Sequence, residues 1–255
     1  QEPQARWQVE SVLMLADPTL PLTQTRPTPS HRNGAVFLPV GRKELEAVRK
    51  IIRIHIQLAG DQANKAQLLP ALQRSDWFHF ASHSVSRTSE SLYGELILAM
   101  TARQSEPERV YAFEIFQMQL RMKLAILSAC ETARGAFLNG EGFEGFVQAF
   151  RAAGTPSVIA SLWKVENEAS AQFFKIYYEE VVRGKSTADA LQAAKLRMLA
   201  DSRFSVLDWA AFNYYGHDWN AQLPRGDVAP AYVFIVLAVI VLSSSILVYY
   251  WKRSR

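Results

Sequence analysis

The sequence predicts an α/β domain with a mostly parallel sheet flanked by helices, followed by one membrane-spanning helix. Three observations carry that prediction. Short strand-like runs alternate with helical segments over roughly the first 220 residues. Two of the runs, Lys123 to Ala129 and Ser157 to Leu162, are apolar almost throughout, as strands covered on both faces are. The segment 231–251 holds 21 residues without a charge.

The elements follow in order. Val9 to Ala16 suits a strand, and the stretch to Ser30, with Pro18, Pro21, Pro27 and Pro29, reads as a loop. Lys43 to Ile54 has helical spacing at Leu45, Val48, Ile51 and Ile52, and Ile54 to Leu58 alternates as a strand. Ala63 to Leu72 reads as a helix, and Trp77 to Ser82 as a buried strand that ends at His83. Ser84 to Tyr93 is polar and reads as a loop, and Glu95 to Met100 as a strand. After the Lys123 strand comes a loop with Gly135, Gly140 and Gly142. Phe143 to Ala153 is then a helix, Ser157 to Leu162 a buried strand, and Ala169 to Arg183 a helix stopped by Gly184. Ser186 to Asp189 has the form of a capping box opening one more helix to about Leu199, and Trp209 to Tyr215 is a last strand.

Composition excludes several functions. Net charge is +4 and the bases are scattered, which does not support nucleic-acid binding. The single cysteine, Cys130, allows no intrachain disulfide and no CxxC metal site. No phosphate-binding glycine motif follows a strand, so a nucleotide domain finds little support, and neither a cofactor nor a metal is expected.

His83 and Cys130 both stand just after apolar strands. In a parallel sheet the C-terminal strand ends share one edge, where ligands bind. Neighbouring strands lie about 5 Å apart, so a histidine and a thiol at equal heights would face one another. That is the arrangement of a nucleophile and its base. The glycine-bearing loop after Cys130 leads to a helix N-terminus, which favours a thiolate. A lone cysteine is also what a small buried hydrophobe looks like, and both readings stay open on position alone.

At these residues the chain resembles the CHAT family of caspase-like domains, often found behind tetratricopeptide repeats. The resemblance runs over about residues 9–217. It rests on His79-Phe80-Ala81-Ser82-His83 and Leu127-Ser128-Ala129-Cys130-Glu131-Thr132, with Leu15-Ala16-Asp17-Pro18, Glu44-Leu45-Glu46-Ala47, Gly140-Glu141-Gly142, Ser161-Leu162-Trp163 and Trp209-Ala210-Ala211-Phe212 in order around them. It implies a caspase-like fold and a cysteine endopeptidase, with Cys130 as nucleophile and His83 as general base. The backbone N–H groups of Ser84 and Cys130 would form the oxyanion hole. The family usually has glycine after the histidine, and a positive φ there would strain Ser84. Glu131, Glu166 and Glu168 would contact substrate and favour a basic residue before the cleaved bond. The alternative is a catalytically impaired, membrane-anchored interaction module of the same fold.

The expected organisation is a peptidase domain over 1–219, a linker over 220–230, a transmembrane helix over 231–251 and a basic tail over 252–255. Tyr232, Tyr249, Tyr250 and Trp251 sit near the ends of the apolar span. Lys252, Arg253 and Arg255 on one side outweigh Arg225 on the other, which places the tail inside and the catalytic domain on an extracytoplasmic, periplasm-like face. A late-inserted tail anchor with a cytosolic domain is the competing arrangement. Expected partners are a protein or peptide substrate, the membrane, and upstream tetratricopeptide repeats or another protein acting as a sensor.

Overall fold

In a computed structural model, residues 7–20, 41–85, 91–100, 106–129 and 144–226 are described. The elements in chain order are β1 (Trp7–Gln8), β2 (Val12–Pro18), α1 (Arg42–Arg49), β3 (Ile56–Gly60), α2 (Lys65–Arg74) and β4 (Trp77–Ala81). Then come β5 (Ser84–Val85), β6 (Glu95–Ile97), β7 (Arg109–Tyr111), α3 (Ala112–Phe116) and β8 (Leu124–Leu127). The chain continues with α4 (Glu144–Ala152), β9 (Ser157–Ser161), α5 (Asn167–Val182), α6 (Thr187–Leu199), β10 (Phe212–Gly216) and β11 (Ala221–Gln222).

Six strands form the central sheet in the order β10-β9-β8-β4-β2-β3. Five run parallel and β10 is antiparallel to β9, so the mixed α/β fold with a mostly parallel sheet is as the sequence predicts. The period-two alternation of strands divides the core into two layers. Met14, Ile126 and Ile159 face α1, α5 and α6, with Phe173, Phe174 and Tyr177 packed over them. Leu13, Phe78, Phe80, Ala125 and Val158 face α2 and α4, with Phe150 over them. Both faces are covered, which is why the central strands are apolar without interruption.

Several boundaries differ from the sequence reading. The expected loop from Ser84 begins instead with β5, which joins β6 and β7 in a three-stranded antiparallel sheet beside the main one. β7 and α3 were not legible, because three and five residues are too short to show a period. The expected linker from residue 220 begins as structure: β11 pairs in parallel with β1, and Arg225 bridges to Ile52. The cap at Ser186 is present, its hydroxyl accepting the Asp189 N–H at 3.1 Å. The apolar span 231–251 lies outside the described residues, and among the described residues no helix is long and apolar enough to cross a membrane.

Candidate functional site

β4 and β8 are direct neighbours, parallel, with Phe80 opposite Leu127. The pairing continues one step further, where the Ser128 N–H donates to the Phe80 carbonyl at 2.8 Å. His83 is three places beyond Phe80, and Cys130 three places beyond Leu127. Cys130 and Glu131 lie outside the described residues. The last described residue on that side, Ala129, already meets the histidine side of the cleft, since its carbonyl accepts the Ser84 hydroxyl at 3.4 Å.

His83 is 5% exposed, and its carbonyl accepts the Ile97 N–H at 2.9 Å. Ser84 stands opposite Leu96. Bonded and unbonded pairs alternate along an antiparallel ladder, so the N–H of Ser84 points away from β6. Ser84 is not among the residues with positive φ. The strain expected of serine in a glycine position is therefore absent, because this backbone is extended.

A cavity of about 30 Å³ opens at this edge, between His83, Ser128, Glu44, Ser170 and Lys164. From the β9–α5 loop it is lined by Lys164, Val165 and Asn167. Glu166 is exposed at the start of α5, where its carbonyl accepts the Ser170 N–H. Glu168 is bonded to the Lys43 ammonium, whose hydrogen bond and charge hold its carboxyl below the ordinary glutamate value. A larger hollow of about 400 Å³ lies by the end of α5 and β11, with Gln8, Arg183 and Arg225 on its walls. It contains no nucleophile, so chemistry favours the small cavity over the roomy one.

Beneath the small cavity runs a buried polar chain that sequence reasoning missed. His79 Nε2 meets Glu44 Oε1 at 2.5 Å, and His79 Nδ1 meets the Tyr178 hydroxyl at 3.1 Å. Glu44 Oε2 accepts the hydroxyls of Ser128 at 3.0 Å and Ser170 at 2.8 Å. Burial, and then the Glu44 charge, push the Tyr178 phenol well above its ordinary value, so it keeps its proton. His79 thus joins the Tyr178 hydroxyl to the Glu44 carboxylate across its ring. The sequence held one signal. Glu44 stands one turn before Val48 on the apolar face of α1, a charge where the core is expected. Among the described residues, no group of three or more His, Cys, Asp or Glu is placed to hold a metal.

Two curated relatives share 24% identity with this chain: tetratricopeptide repeat protein 28 of Mus musculus, over 68% of the chain, and that of Homo sapiens, over 76%. The chain spans only 8% and 9% of their lengths. Among solved structures it is similar to the Saccharomyces cerevisiae separase-securin complex, with a TM-score of 0.50 and 18% identity. That match covers 86% of this chain and 12% of the other, and it speaks for the fold alone. A model of the CHAT domain matches residues 1–217, and the chain belongs to the CHAT domain family.

Proposed function

We propose that the protein is a caspase-like cysteine endopeptidase in which Cys130 is the nucleophile and His83 the base. One observation carries the reading: β4 and β8 are adjacent and parallel, and the two residues stand at equal offsets past a shared register. Neighbouring strands that end at equal height are the support a nucleophile and its base require.

The Cys130 thiol gives its proton to His83, and the thiolate attacks the scissile carbonyl carbon. The carbon–nitrogen bond breaks as His83 returns the proton to the leaving amine. Water, deprotonated by His83, then hydrolyses the thioester and restores the thiol. The N–H groups of Ser84 and Cys130 hold the oxyanion, and the direction of the Ser84 amide away from β6 supports that role. Glu131 and Glu166 favour a basic residue before the cleaved bond. Glu168 joins them only by releasing Lys43.

The test is cleavage of a peptide library by the unmodified chain, Cys130→Ala and His83→Ala. Both variants lose roughly 10³-fold or more in rate while remaining folded. Unchanged cleavage by Cys130→Ala overturns the enzyme reading in favour of an interaction module.

The uncharged span 231–251 anchors the domain, with the basic tail inside and the cleft on the extracytoplasmic face. Protease added to intact spheroplasts digests the domain if so, and protection until lysis reverses the orientation. Upstream repeats acting on the cleft are the expected regulator, a reading supported by the tetratricopeptide repeat proteins among the relatives.

A further inference from the structure

The starts of the parallel strands form the edge opposite the cleft, and backbone bonds join them in one line. The Arg53 N–H donates to the Pro224 carbonyl at 2.8 Å, and the Gly226 N–H to the Ile51 carbonyl at 3.0 Å. The His55 N–H reaches the Val12 carbonyl, the Asp76 N–H the Ser11 carbonyl, and the Lys123 N–H the Asp76 carbonyl. Segments 10–12, 49–55, 74–76, 121–123 and 224–226 thus share this edge. They bring to it Arg49, Lys50, Arg53, Arg74, Arg121 and Arg225, all exposed.

None of these six is in an ion pair among the described residues. At the opposite ends of the same helices the bases are paired: Arg42 with Asp17, Lys43 with Glu168, and Lys65 with Glu114. Arg49 and Arg74 lie in the last turns of α1 and α2, and Arg121 donates to the Arg74 carbonyl at 3.3 Å. A helix C-terminus carries only about half a negative charge, so two of them leave most of the positive charge uncompensated. Arg53 and Arg225 have no helix end to serve. The same segments hold two acids, Glu10 and Asp76. Asp76 is taken up by the N–H groups of Glu10 and Ser11, both at 2.9 Å, and by the Ser11 hydroxyl. The edge is therefore a surplus of cations.

The described chain ends on this edge, at Gly226, and the uncharged span begins at residue 231. Five residues reach at most about 18 Å, so a bilayer entered by that span lies close to the edge. We propose that the basic edge seats the domain on the anionic phospholipid headgroups of the leaflet that the anchor enters. The proposal rests on the anchor reading, and the experiment separates the two. Near such a surface each Lys or Arg strengthens binding about five-fold, an attraction that salt screens. The strands start at this edge and end at the cleft, so the seated domain turns its cleft away from lipid. The five residues of β4 alone set it about 15 Å off. Substrates then arrive from solution rather than from the bilayer.

The full chain is reconstituted in vesicles of phosphatidylcholine alone, or with phosphatidylglycerol at about one lipid in three. Flotation after an alkaline carbonate wash reports the anchor by itself. Acylation of lysines by a neutral amine reagent, read by mass spectrometry, reports the edge. Lys50 stands on it, and Lys164, exposed beside the cleft, is the control in the same molecule. Phosphatidylglycerol is expected to slow Lys50 about five-fold or more and to leave Lys164 unchanged, and about 0.5 M salt to reverse the effect. In the triple variant Arg49→Ser, Arg53→Ser, Arg225→Ser, with its melting temperature unchanged, most of the slowing is lost. If the chain floats and Lys50 reacts equally in both vesicles, or slows together with Lys164, the lipid surface is overturned and the anchor stands. If Lys50 slows only when soluble polyglutamate is added, the edge takes an acidic protein and the lipid assignment is overturned. If the chain does not float with phosphatidylcholine, the anchor falls and the proposal with it. Where the triple variant does not fold, salt decides in the unmodified chain: slowing that persists at about 0.5 M salt overturns the proposal.

Discussion

Tyr178 does not line the cleft, yet its hydroxyl partners His79 Nδ1 at the far end of the polar chain that reaches Glu44. Tyr178→Phe removes that hydroxyl and leaves Nδ1 without its partner in a fully buried place. The expected cost is about 1–3 kcal/mol of folding stability, read by denaturant unfolding. A change under half of the lower figure would mean that water or a rotated ring replaces the phenol. This chain of side chains is also where the sequence was least legible. Its members lie at positions 44, 79, 128, 170 and 178, on four separate segments. Each alone has an ordinary reading: a charged helix residue, a core histidine, two small hydroxyls, a buried tyrosine. Only the packing of α1 and α5 on one sheet face makes them a unit. His83 was different, because position after an apolar strand is itself the signal, and that signal survives without knowing any partner.

At the scale of elements, the approach of α1 to the sheet depends on one residue. Gly41, just before the helix, has φ +82°, and a Cβ there would lie 1.9 Å from the Ala81 carbonyl oxygen at the end of β4. Gly41→Ala therefore meets both left-handed strain and a collision with backbone. The strain alone costs about 1–2 kcal/mol, so a loss of roughly 2 kcal/mol or more in thermal unfolding is expected. If the variant is as stable as its parent, α1 has room to slide and the tie through Glu44 is looser than the distances imply. The long elements were legible, since α5, α6 and the buried strands each carry a full period or an unbroken apolar run. β5 was not: its two residues are a serine and a valine, and their pairing with β6 is decided by what lies opposite.

For the whole molecule, the pairing of β1 with β11 fixes where the folded unit stops. A chain ending at residue 219 lacks β11 and the bridge from Arg225 to Ile52, whereas one ending at 226 keeps both. The longer chain is expected to melt at a higher temperature, and equal melting temperatures would make the β1–β11 pair an ornament on the fold. Val9, held by the Gln222 carbonyl, precedes β2, and Arg53, held by the Pro224 carbonyl, precedes β3. Both contacts sit at the starts of parallel strands, whereas the cleft sits at their ends. Mechanically, the chain is gripped by its back. Tension between residues 7 and 226 reaches this short two-stranded ribbon and the stitches to Ile52 and Arg53 before it reaches the six-stranded sheet. The ribbon acts as a fuse: it parts first, lengthening the leash while the strands beneath His83 remain in register.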